Sequence, residues 1–203
     1  MDDRARPLIE RDVDPDPLRQ FEAWFEDARA AVRAPEAMAV ATAAESGAPS
    51  VRMVLLKGFD EHGFVFFTGY DSRKGQELSA NPRGAILFYW DPLGRQVRIE
   101  GPIERTPHDD NERYFHSRPR ASQIAALASQ QSQPLESRDA LDARVVELTS
   151  ELGGRDVPLP QSWGGFRLSP ETYEFWQHRE NRLHDRLRYR RSAGGWMLER
   201  LSP

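Results

Sequence analysis

The order in which strand and helix patterns follow one another along the chain constrains its fold most. Short apolar stretches typical of β-strands fill residues 38–104, helical patterns occupy residues 107–153, and strand patterns return from residue 165. This order lacks the regular strand and helix alternation that builds a parallel sheet. The sequence therefore predicts a mainly β fold with α-helices, in which the late strands close a barrel and the helices pack on it.

Capping and turn residues predict the boundaries of the individual elements. Asp16-Pro17 opens an amphipathic helix that Pro35 ends, and Pro119 suits the first position of a later helix. Two more helices are expected, over residues 72–80 with Ser72 as N-cap and over residues 137–152. Strands are predicted over residues 38–43, 50–57, 64–68, 84–90, 96–104, 165–168, 172–177, 183–191 and 196–201.

Length and composition narrow the classes of protein to consider. The 203 residues predict one main domain over residues 16–203, preceded by a flexible N-terminal arm over residues 1–15. Neither a membrane-spanning apolar run nor a signal peptide is seen, so no membrane partner is expected and a cytoplasmic location is predicted. The net charge of −4 disfavours nucleic acid as a partner, and the absence of cysteine excludes disulfides and thiolate chemistry.

The segment over residues 175–186 combines aromatic rings with basic side chains. Alternation along a strand would place Arg182, His184 and Arg186 on one face. Such a face cannot belong to an apolar core, so it is either open to water as a solvated edge strand or directed at an anion.

Three other clusters are candidates for binding anions. Arg52 and Lys57 flank an apolar strand, and residues 72–74 place Arg73 and Lys74 at a helix N-terminus, where backbone N–H groups favour phosphate. Tyr114, Arg118 and Ser122 are spaced by four residues beside another helix start. Each cluster also has an ordinary structural explanation, as a solubilised strand end, an exposed helix start or a helix corner. Of the 28 basic residues only Lys57 and Lys74 are lysines, which singles out these two clusters.

Amide side chains indicate a heteroaromatic ligand, and the absence of common nucleotide and metal motifs limits how it can be bound. Gln96 and the amides of residues 129–133 can read the edge of a heteroaromatic ring, although such residues more often lie on a loop surface. The chain has no G-x-G-x-x-G loop after a strand, no Walker loop and no metal-ligand spacing of its histidines. Two phosphate-type sites and the ring of Trp176 would suit flavin mononucleotide (FMN) together with a second small phosphate compound.

These residues resemble the pyridoxine (pyridoxamine) 5′-phosphate oxidase family over residues 16–203. The segments that carry the resemblance, in chain order, are residues 52–57 (RMVLLK), 72–74, 95–97, 114–120, 122–123, 131–132, 163–165, 175–177 and 182–186. The resemblance implies an FMN-binding split β-barrel with packed helices, which forms a homodimer with FMN in two clefts at the subunit interface.

The resemblance also implies a role for each matching residue. The residues that would contact FMN are Arg52, Met53, Val54, Leu55, Leu56, Lys57, Phe67, Thr68, Arg73, Lys74, Gln96, Gln131, Ser132, Trp176 and Arg186. The substrate phosphate would be held by Lys57, Tyr114, Arg118 and Ser122. Arg182 and His184 would lie against the pyridine ring as catalytic residues, Arg182 steering the reacting carbon and His184 orienting the substrate or assisting its deprotonation.

The implied reaction oxidises pyridoxine or pyridoxamine 5′-phosphate at C4′, with hydride transfer to FMN N5 and reoxidation by O₂ to give hydrogen peroxide. Many relatives carry an N-terminal tyrosine in a segment that folds over the substrate, whereas this chain has no tyrosine before Tyr70. Either lid closure is weaker here or residues 4–11 take that place.

Three alternatives remain at this point. A phenazine-pathway FMN oxidase would share the fold and the flavin site, but Lys57, Arg118 and Ser122 suit a substrate phosphate that phenazine precursors lack. A non-catalytic protein that binds FMN or pyridoxal phosphate would bind ligand without turnover, and the Arg182 and His184 pair disfavours it. Nucleic-acid binding through residues 186–191 is disfavoured by the negative net charge.

Overall fold

The computed structural model describes residues 7–203 and confirms a mainly β fold with packed helices. Within these residues, three short 3₁₀ turns, at Glu10–Asp12, Asp91–Leu93 and Glu180–Arg182, supplement the α-helices. In the described part of the chain the α-helices are α1 (Pro17–Ala31), α2 (Arg73–Ala80), α3 (His108–Ser117), α4 (Arg120–Ala128) and α5 (Arg138–Leu152). Within residues 7–203, no helix combines the length and the apolar character needed to cross a lipid bilayer.

All strand pairs are antiparallel, as expected for a chain without strand and helix alternation. The strands of residues 7–203 are β1 (Ala37–Ala43), β2 (Pro49–Leu55), β3 (Gly58–Asp60), β4 (Gly63–Gly69), β5 (Arg83–Trp90), β6 (Arg95–Arg105), β7 (Trp163–Leu168), β8 (Thr172–Gln177), β9 (Asp185–Ser192) and β10 (Gly195–Arg200). The main path of the sheet runs β10-β9-β8-β6-β5-β1-β2.

Strand β6 turns the sheet into a half-barrel because its two ends pair with different strands. Residues 95–100 pair with β8, while residues 103–105 pair with β7, which in turn pairs with β4. Gly101 lies between the two pairings, and a Cβ there would approach the carbonyl oxygen of Ser169 to 2.0 Å. Only glycine allows the backbone to pack this closely at the corner.

The core lies against one face of this sheet. Alternate residues of the central strands, such as Ile86, Phe88 and Val97, are fully buried. Helix α1 covers them with Phe21, whose ring meets that of Phe64 edge-on with centroids 4.9 Å apart. A second, smaller core lies under α3 to α5 and consists of Phe115, Ile124, Leu148 and Val157.

Most predicted boundaries agree with the structure, and the predicted N-cap Ser72 accepts a backbone hydrogen bond. Asp16 and Ser137, at which two other helices were predicted to begin, also cap their helices in this way. Pro119 is the N-cap of α4 and not its first helical residue. The short strand β3 was not predicted from the sequence.

The predicted strand over residues 183–191 is wrong at its start. Strand β9 begins at Asp185, and Arg182 lies in the preceding 3₁₀ turn. Asn181 and Arg182 have φ values of 56° and 62°, in the left-handed region, and this breaks the two-residue alternation of a strand. The expected common strand face of Arg182, His184 and Arg186 is therefore not formed, since only Arg186 belongs to the strand.

The predicted N-terminal arm is described from residue 7 onward, and residues 1–6 lie outside the described residues. Leu8 is buried in the main core, and its backbone N–H donates to Asp185 Oδ2 at 3.1 Å. Arg200 donates to the Leu8 carbonyl at 2.8 Å and to the Glu10 carboxylate. This part of the arm is packed against the barrel, while the domain boundary at residue 16 and the cytoplasmic location stay predictions.

Candidate active site

The first turn of α2 places a buried lysine among neutral oxygens. Ser72 caps the helix, and Gly75 packs so closely on the preceding loop that a Cβ there would lie 2.1 Å from the Tyr70 carbonyl oxygen. The Nζ atom of Lys74 donates to Thr68 Oγ1 at 2.8 Å and to Gln131 Oε1 at 3.3 Å. Burial and the nearby charge of Arg52 lower the pKa of Lys74 to about 8. An ammonium group without a carboxylate contact, at a helix N-terminus, is suited to an anionic ligand.

The loop after α4 completes this lysine site from a distant part of the chain. Gln131 Oε1 accepts from Thr68 Oγ1 at 2.8 Å and from the Gly69 backbone N–H at 3.1 Å. The next residue, Ser132, has a φ of 71°. Left-handed backbone at a non-glycine residue is unusual and collects at functional sites. The structure thus brings together Thr68, Lys74 and Gln131, three of the residues predicted to contact FMN.

Two arginines predicted to contact FMN are held by one acid. Glu77 Oε1 accepts from Arg73 Nε at 2.8 Å, and Glu77 Oε2 lies 3.3 Å from Arg52 Nη2. Although burial opposes ionisation, hydrogen bonds from Ser50, Thr42 and the two arginines lower the pKa of Glu77 to about 2. Glu77 was not predicted from the sequence, although its spacing of four from Arg73 on a helix is a recognisable signal.

Stacked aromatic rings line two cavities in this part of the molecule. The rings of Phe67 and Tyr114 stack with centroids 4.0 Å apart, and Trp163 stacks on Phe67 at 5.4 Å. A cavity of about 730 Å³ is lined by residues that include Ser72, Arg118, Ser122, Gln131 and Trp163. A second cavity, of about 360 Å³, is lined by residues that include Lys57, Phe67 and Tyr114.

The four residues predicted to hold the substrate phosphate are divided between these two cavities. Arg118 and Ser122 line the larger cavity, and Lys57 and Tyr114 line the smaller one. Arg118 lies over the Trp163 ring at 4.9 Å and donates from Nη2 to the Ser122 carbonyl at 2.9 Å. Its Nη1 atom is buried without a hydrogen-bond partner among residues 7–203, and burial lowers the pKa of the guanidinium. A buried donor without an acceptor suits an anionic ligand.

A second group of predicted residues lies across strands β6, β8 and β9. Gln96 pairs with Trp176, which pairs with Arg186, so the three side chains form one row. The Trp176 ring lies 4.6 Å from that of His184, whose Nδ1 accepts from the Arg179 backbone N–H at 3.1 Å. Since Nδ1 accepts, neutral His184 carries its proton on Nε2.

Arg186 is itself fixed by neighbours that the sequence analysis did not identify. Its Nε atom lies 2.9 Å from the buried carboxylate of Glu174, and Nη1 donates to the Ser202 carbonyl at 2.9 Å. Arg182, by contrast, is exposed in its left-handed turn. The structure brings His184 close to Trp176 but leaves Arg182 on the surface.

The cluster that contains Arg52 and the row formed by Gln96, Trp176 and Arg186 face opposite sides of the sheet. Arg52 is in register with the buried Val40, whereas Gln96 directly precedes the buried Val97 and lies on the other face. That outer face also carries large exposed apolar side chains, with Met53 65% exposed and Tyr89 55% exposed. Val51, Leu55 and Met197 extend this exposed apolar surface. A single chain therefore does not gather all predicted flavin residues around one cavity, and the outer face has the character of an interaction surface.

Comparisons with known proteins agree with this architecture. The model of the pyridoxamine 5′-phosphate oxidase family matches residues 25–151, and that of the pyridoxine 5′-phosphate oxidase C-terminal dimerisation region matches residues 163–203. The chain is 56% identical to the pyridoxine/pyridoxamine 5′-phosphate oxidase of Rubrobacter xylanophilus over 97% of this chain and 91% of that protein. Its identity to the enzyme of the same name from Salinibacter ruber is 53% over 98% of this chain and 95% of that protein.

Solved structures give the same picture of the fold. The crystal structure of PhzG from Burkholderia lata, in complex with tetrahydrophenazine-1-carboxylic acid, is 33% identical and superposes with a TM-score of 0.91 over 98% of this chain and all of that chain. An FMN-binding protein related to pyridoxamine 5′-phosphate oxidase, from Nostoc punctiforme, shares the fold at 18% identity with a TM-score of 0.72, over 94% of this chain and all of that chain. Both family models and the near full-length identities above 50% show that this chain belongs to the pyridoxine/pyridoxamine 5′-phosphate oxidase family.

Proposed function

We propose that this chain is an FMN-dependent oxidase that converts pyridoxine 5′-phosphate or pyridoxamine 5′-phosphate into pyridoxal 5′-phosphate. Two electrons and two protons leave the substrate and reduce O₂ to hydrogen peroxide. The alcohol gives the aldehyde directly, whereas the amine gives an imine that water hydrolyses to the aldehyde with release of ammonia. One structural observation carries the proposal: Lys74 and Arg118 are two separate cationic groups, buried or half-buried, that make no carboxylate contact among residues 7–203. Each lacks the counter-charge that a phosphate would supply.

The residues around Lys74 fit the phosphate of FMN. Arg73 and Lys74 provide positive charge at the start of α2, and Thr68 and Gln131 provide oxygen and amide groups beside it. When bound, FMN supplies the hydride acceptor, and the protein supplies binding and orientation. The side chains of Arg73 and Lys74 are expected to carry most of the attraction for the phosphate.

A homodimer would complete this flavin site. Gln96, Trp176 and Arg186 lie on the outer face of the sheet, away from the Lys74 cluster of the same chain. The exposed apolar side chains of that face, together with the match of residues 163–203 to a dimerisation region, support pairing with a second copy. In this arrangement each flavin site takes Arg73 and Lys74 from one subunit, and Gln96, Trp176 and Arg186 from the other.

The predicted substrate residues have complementary tasks. Lys57, Tyr114, Arg118 and Ser122 hold the substrate phosphate, which requires that the two neighbouring cavities become one when ligand binds. His184 keeps its Nε2 proton available for a hydrogen bond to the substrate, because the Arg179 backbone occupies Nδ1. Arg182, which has a left-handed backbone conformation, would orient the reacting carbon.

A phenazine-pathway oxidase is the second candidate, since PhzG shares the fold at 33% identity. The unpartnered nitrogen of Arg118 favours a phosphorylated substrate over a phenazine precursor. The identities of 53% and 56% to proteins named pyridoxine/pyridoxamine 5′-phosphate oxidase support the same choice.

Turnover by the purified, FMN-loaded protein tests this proposal. Pyridoxine 5′-phosphate in air-saturated buffer should yield pyridoxal 5′-phosphate and hydrogen peroxide in equal amounts, with little reaction of unphosphorylated pyridoxine. A flavin-containing protein that leaves pyridoxine and pyridoxamine 5′-phosphates unchanged would refute the proposal. Activity on a tetrahydrophenazine carboxylic acid would then assign the second candidate function.

A further inference from the structure

Glu77 is an acidic residue in a cluster of basic ones. It lies in the middle of α2 and is only 6% exposed. Its carboxylate accepts hydrogen bonds from Thr42 of β1, Ser50 and Arg52 of β2, and Arg73 of α2 itself. A carboxylate this buried is stable only when its oxygens are satisfied in this way. The residue therefore joins three elements at the point where the flavin phosphate is proposed to bind.

The hydrogen bonds are divided between the two oxygens in a way that orients both arginines. Among residues 7–203, Oε1 accepts only from Arg73, and the donor is Nε at 2.8 Å. The two terminal nitrogens of Arg73 have no hydrogen-bond partner in this part of the chain. The Arg73 side chain is 63% exposed, so these nitrogens are open to a ligand. Arg52 is held from the other side, because its Nη1 donates to the Val40 carbonyl at 3.2 Å and to Thr42 Oγ1 at 2.5 Å.

The negative charge of Glu77 also acts on Lys74. The groups in contact with the Lys74 ammonium are the neutral side chains of Thr68, Ser72 and Gln131. The charged groups that act on it are Arg52, which lowers the pKa of Lys74, and Glu77, which raises it. Without Glu77, the pKa of Lys74 would fall below its value of about 8, and the ammonium would lose its proton closer to neutral pH.

We infer that Glu77 is a positioning residue of the flavin site, which holds the guanidinium groups of Arg52 and Arg73 in the orientation that receives the anionic part of FMN. This inference rests on the proposed function and deepens it. Glu77 does not touch the ligand, so its effect is expected in the affinity for FMN and in the pH dependence of that affinity.

The test is a titration of apo-protein with FMN, followed by flavin fluorescence between pH 7 and pH 9.5, for wild type and Glu77→Gln. At pH 7 the variant should bind FMN at least ~10-fold more weakly, the loss expected when one hydrogen bond to a charged group is lost. The affinity of the wild type should begin to fall at about pH 8, where Lys74 loses its proton. In Glu77→Gln this decline should begin at lower pH.

Two further variants separate positioning from general stability. Glu77→Asp keeps the negative charge on a shorter side chain, so its FMN affinity at pH 7 should be lower than that of wild type. The fall of FMN affinity with rising pH should still begin at about pH 8, because the charge near Lys74 is kept. Asp27→Asn removes the charge that pairs with the buried Arg95 at 2.6 Å. The Arg95 side chain contacts Asp27, Gln177 and the Trp24 ring, none of which is proposed to bind flavin. Its FMN affinity and pH dependence should match the wild type even if thermal unfolding of the apo-protein shows a loss of stability.

The inference is overturned if Glu77→Gln binds FMN as tightly as wild type, or binds it more weakly with an unchanged pH dependence. The second result would mean that Glu77 only stabilises the fold. Should Glu77→Gln fail to fold, Glu77→Asp decides, and FMN affinity equal to that of wild type would overturn the inference. A wild-type protein that binds no FMN at any pH would instead refute the proposed function, and the inference with it.

Discussion

Replacing Arg118 by methionine should separate substrate binding from stability. The side chain is half-buried, and its Nη1 atom has no partner within residues 7–203. The guanidinium otherwise donates to the Ser122 carbonyl at 2.9 Å and lies over the rings of Trp163 and Phe115 at 4.9 Å and 5.7 Å. Methionine keeps much of the volume and the contact with the rings while removing the charge.

The two effects on stability nearly cancel. Removing a buried donor without an acceptor should stabilise the apo-protein by about 1 to 3 kcal/mol. Loss of the hydrogen bond to Ser122 costs about 1 kcal/mol, and loss of the cation–π contacts costs about 0.5 to 1 kcal/mol each. The free energy of unfolding should therefore stay within about 1 kcal/mol of the wild-type value. Loss of a charge-assisted hydrogen bond to the substrate phosphate should raise KM by about 10- to 100-fold.

Steady-state kinetics with pyridoxine 5′-phosphate and urea unfolding of the apo-protein measure the two quantities. The flavin content and kcat should change little, because the phosphate contact is the same in ground state and transition state. Arg120→Met is the matched control, since this exposed neighbour donates to the Gly153 carbonyl and should leave KM unchanged. An unchanged KM for Arg118→Met, or a loss of more than about 3 kcal/mol in unfolding free energy, would contradict the role assigned to Arg118.

Three further predictions concern the flavin site and its acid. Replacing Arg73 and Lys74 together by alanine should release FMN from a folded protein, and an absorbance spectrum that still shows full flavin content would place the phosphate elsewhere. A mixture of Lys74→Ala and Trp176→Ala subunits, unfolded and refolded together, should regain flavin binding in some dimers, because a hybrid contains one intact site; no recovery would argue against a shared site. The pKa of Glu77 is lowered to about 2, so its stabilising contribution is present above its ordinary value of 4.5 and is lost as pH falls toward 2. Between these pH values, the free energy of unfolding should therefore fall more steeply with decreasing pH for wild type than for Glu77→Gln. Equal slopes for the two proteins would contradict this prediction.

Local signals in the sequence predicted most of the secondary structure. Ser72 caps its helix as expected, and helices begin at Asp16 and Ser137 as predicted, because an N-cap depends on a side chain and the backbone two or three residues away. The strands of the barrel were recognised because their apolar residues repeat with the period of the backbone itself. The fold class and the family also followed from residues that can be read in order along the chain.

Contacts between residues far apart in the sequence decided how the side chains of the candidate site are arranged. Lys74 is buried because Gln131, 57 residues away, meets it across the end of β4, and Glu77 joins Arg52 to Arg73 only once α2 packs beside β1 and β2. The left-handed backbone of Arg182 overrode the strand alternation of its sequence neighbours. The sequence alone determined which elements form and which chemical groups are present. The tertiary structure decided which groups meet and which are left without a partner, because burial and charge pairing arise only when separate elements pack together.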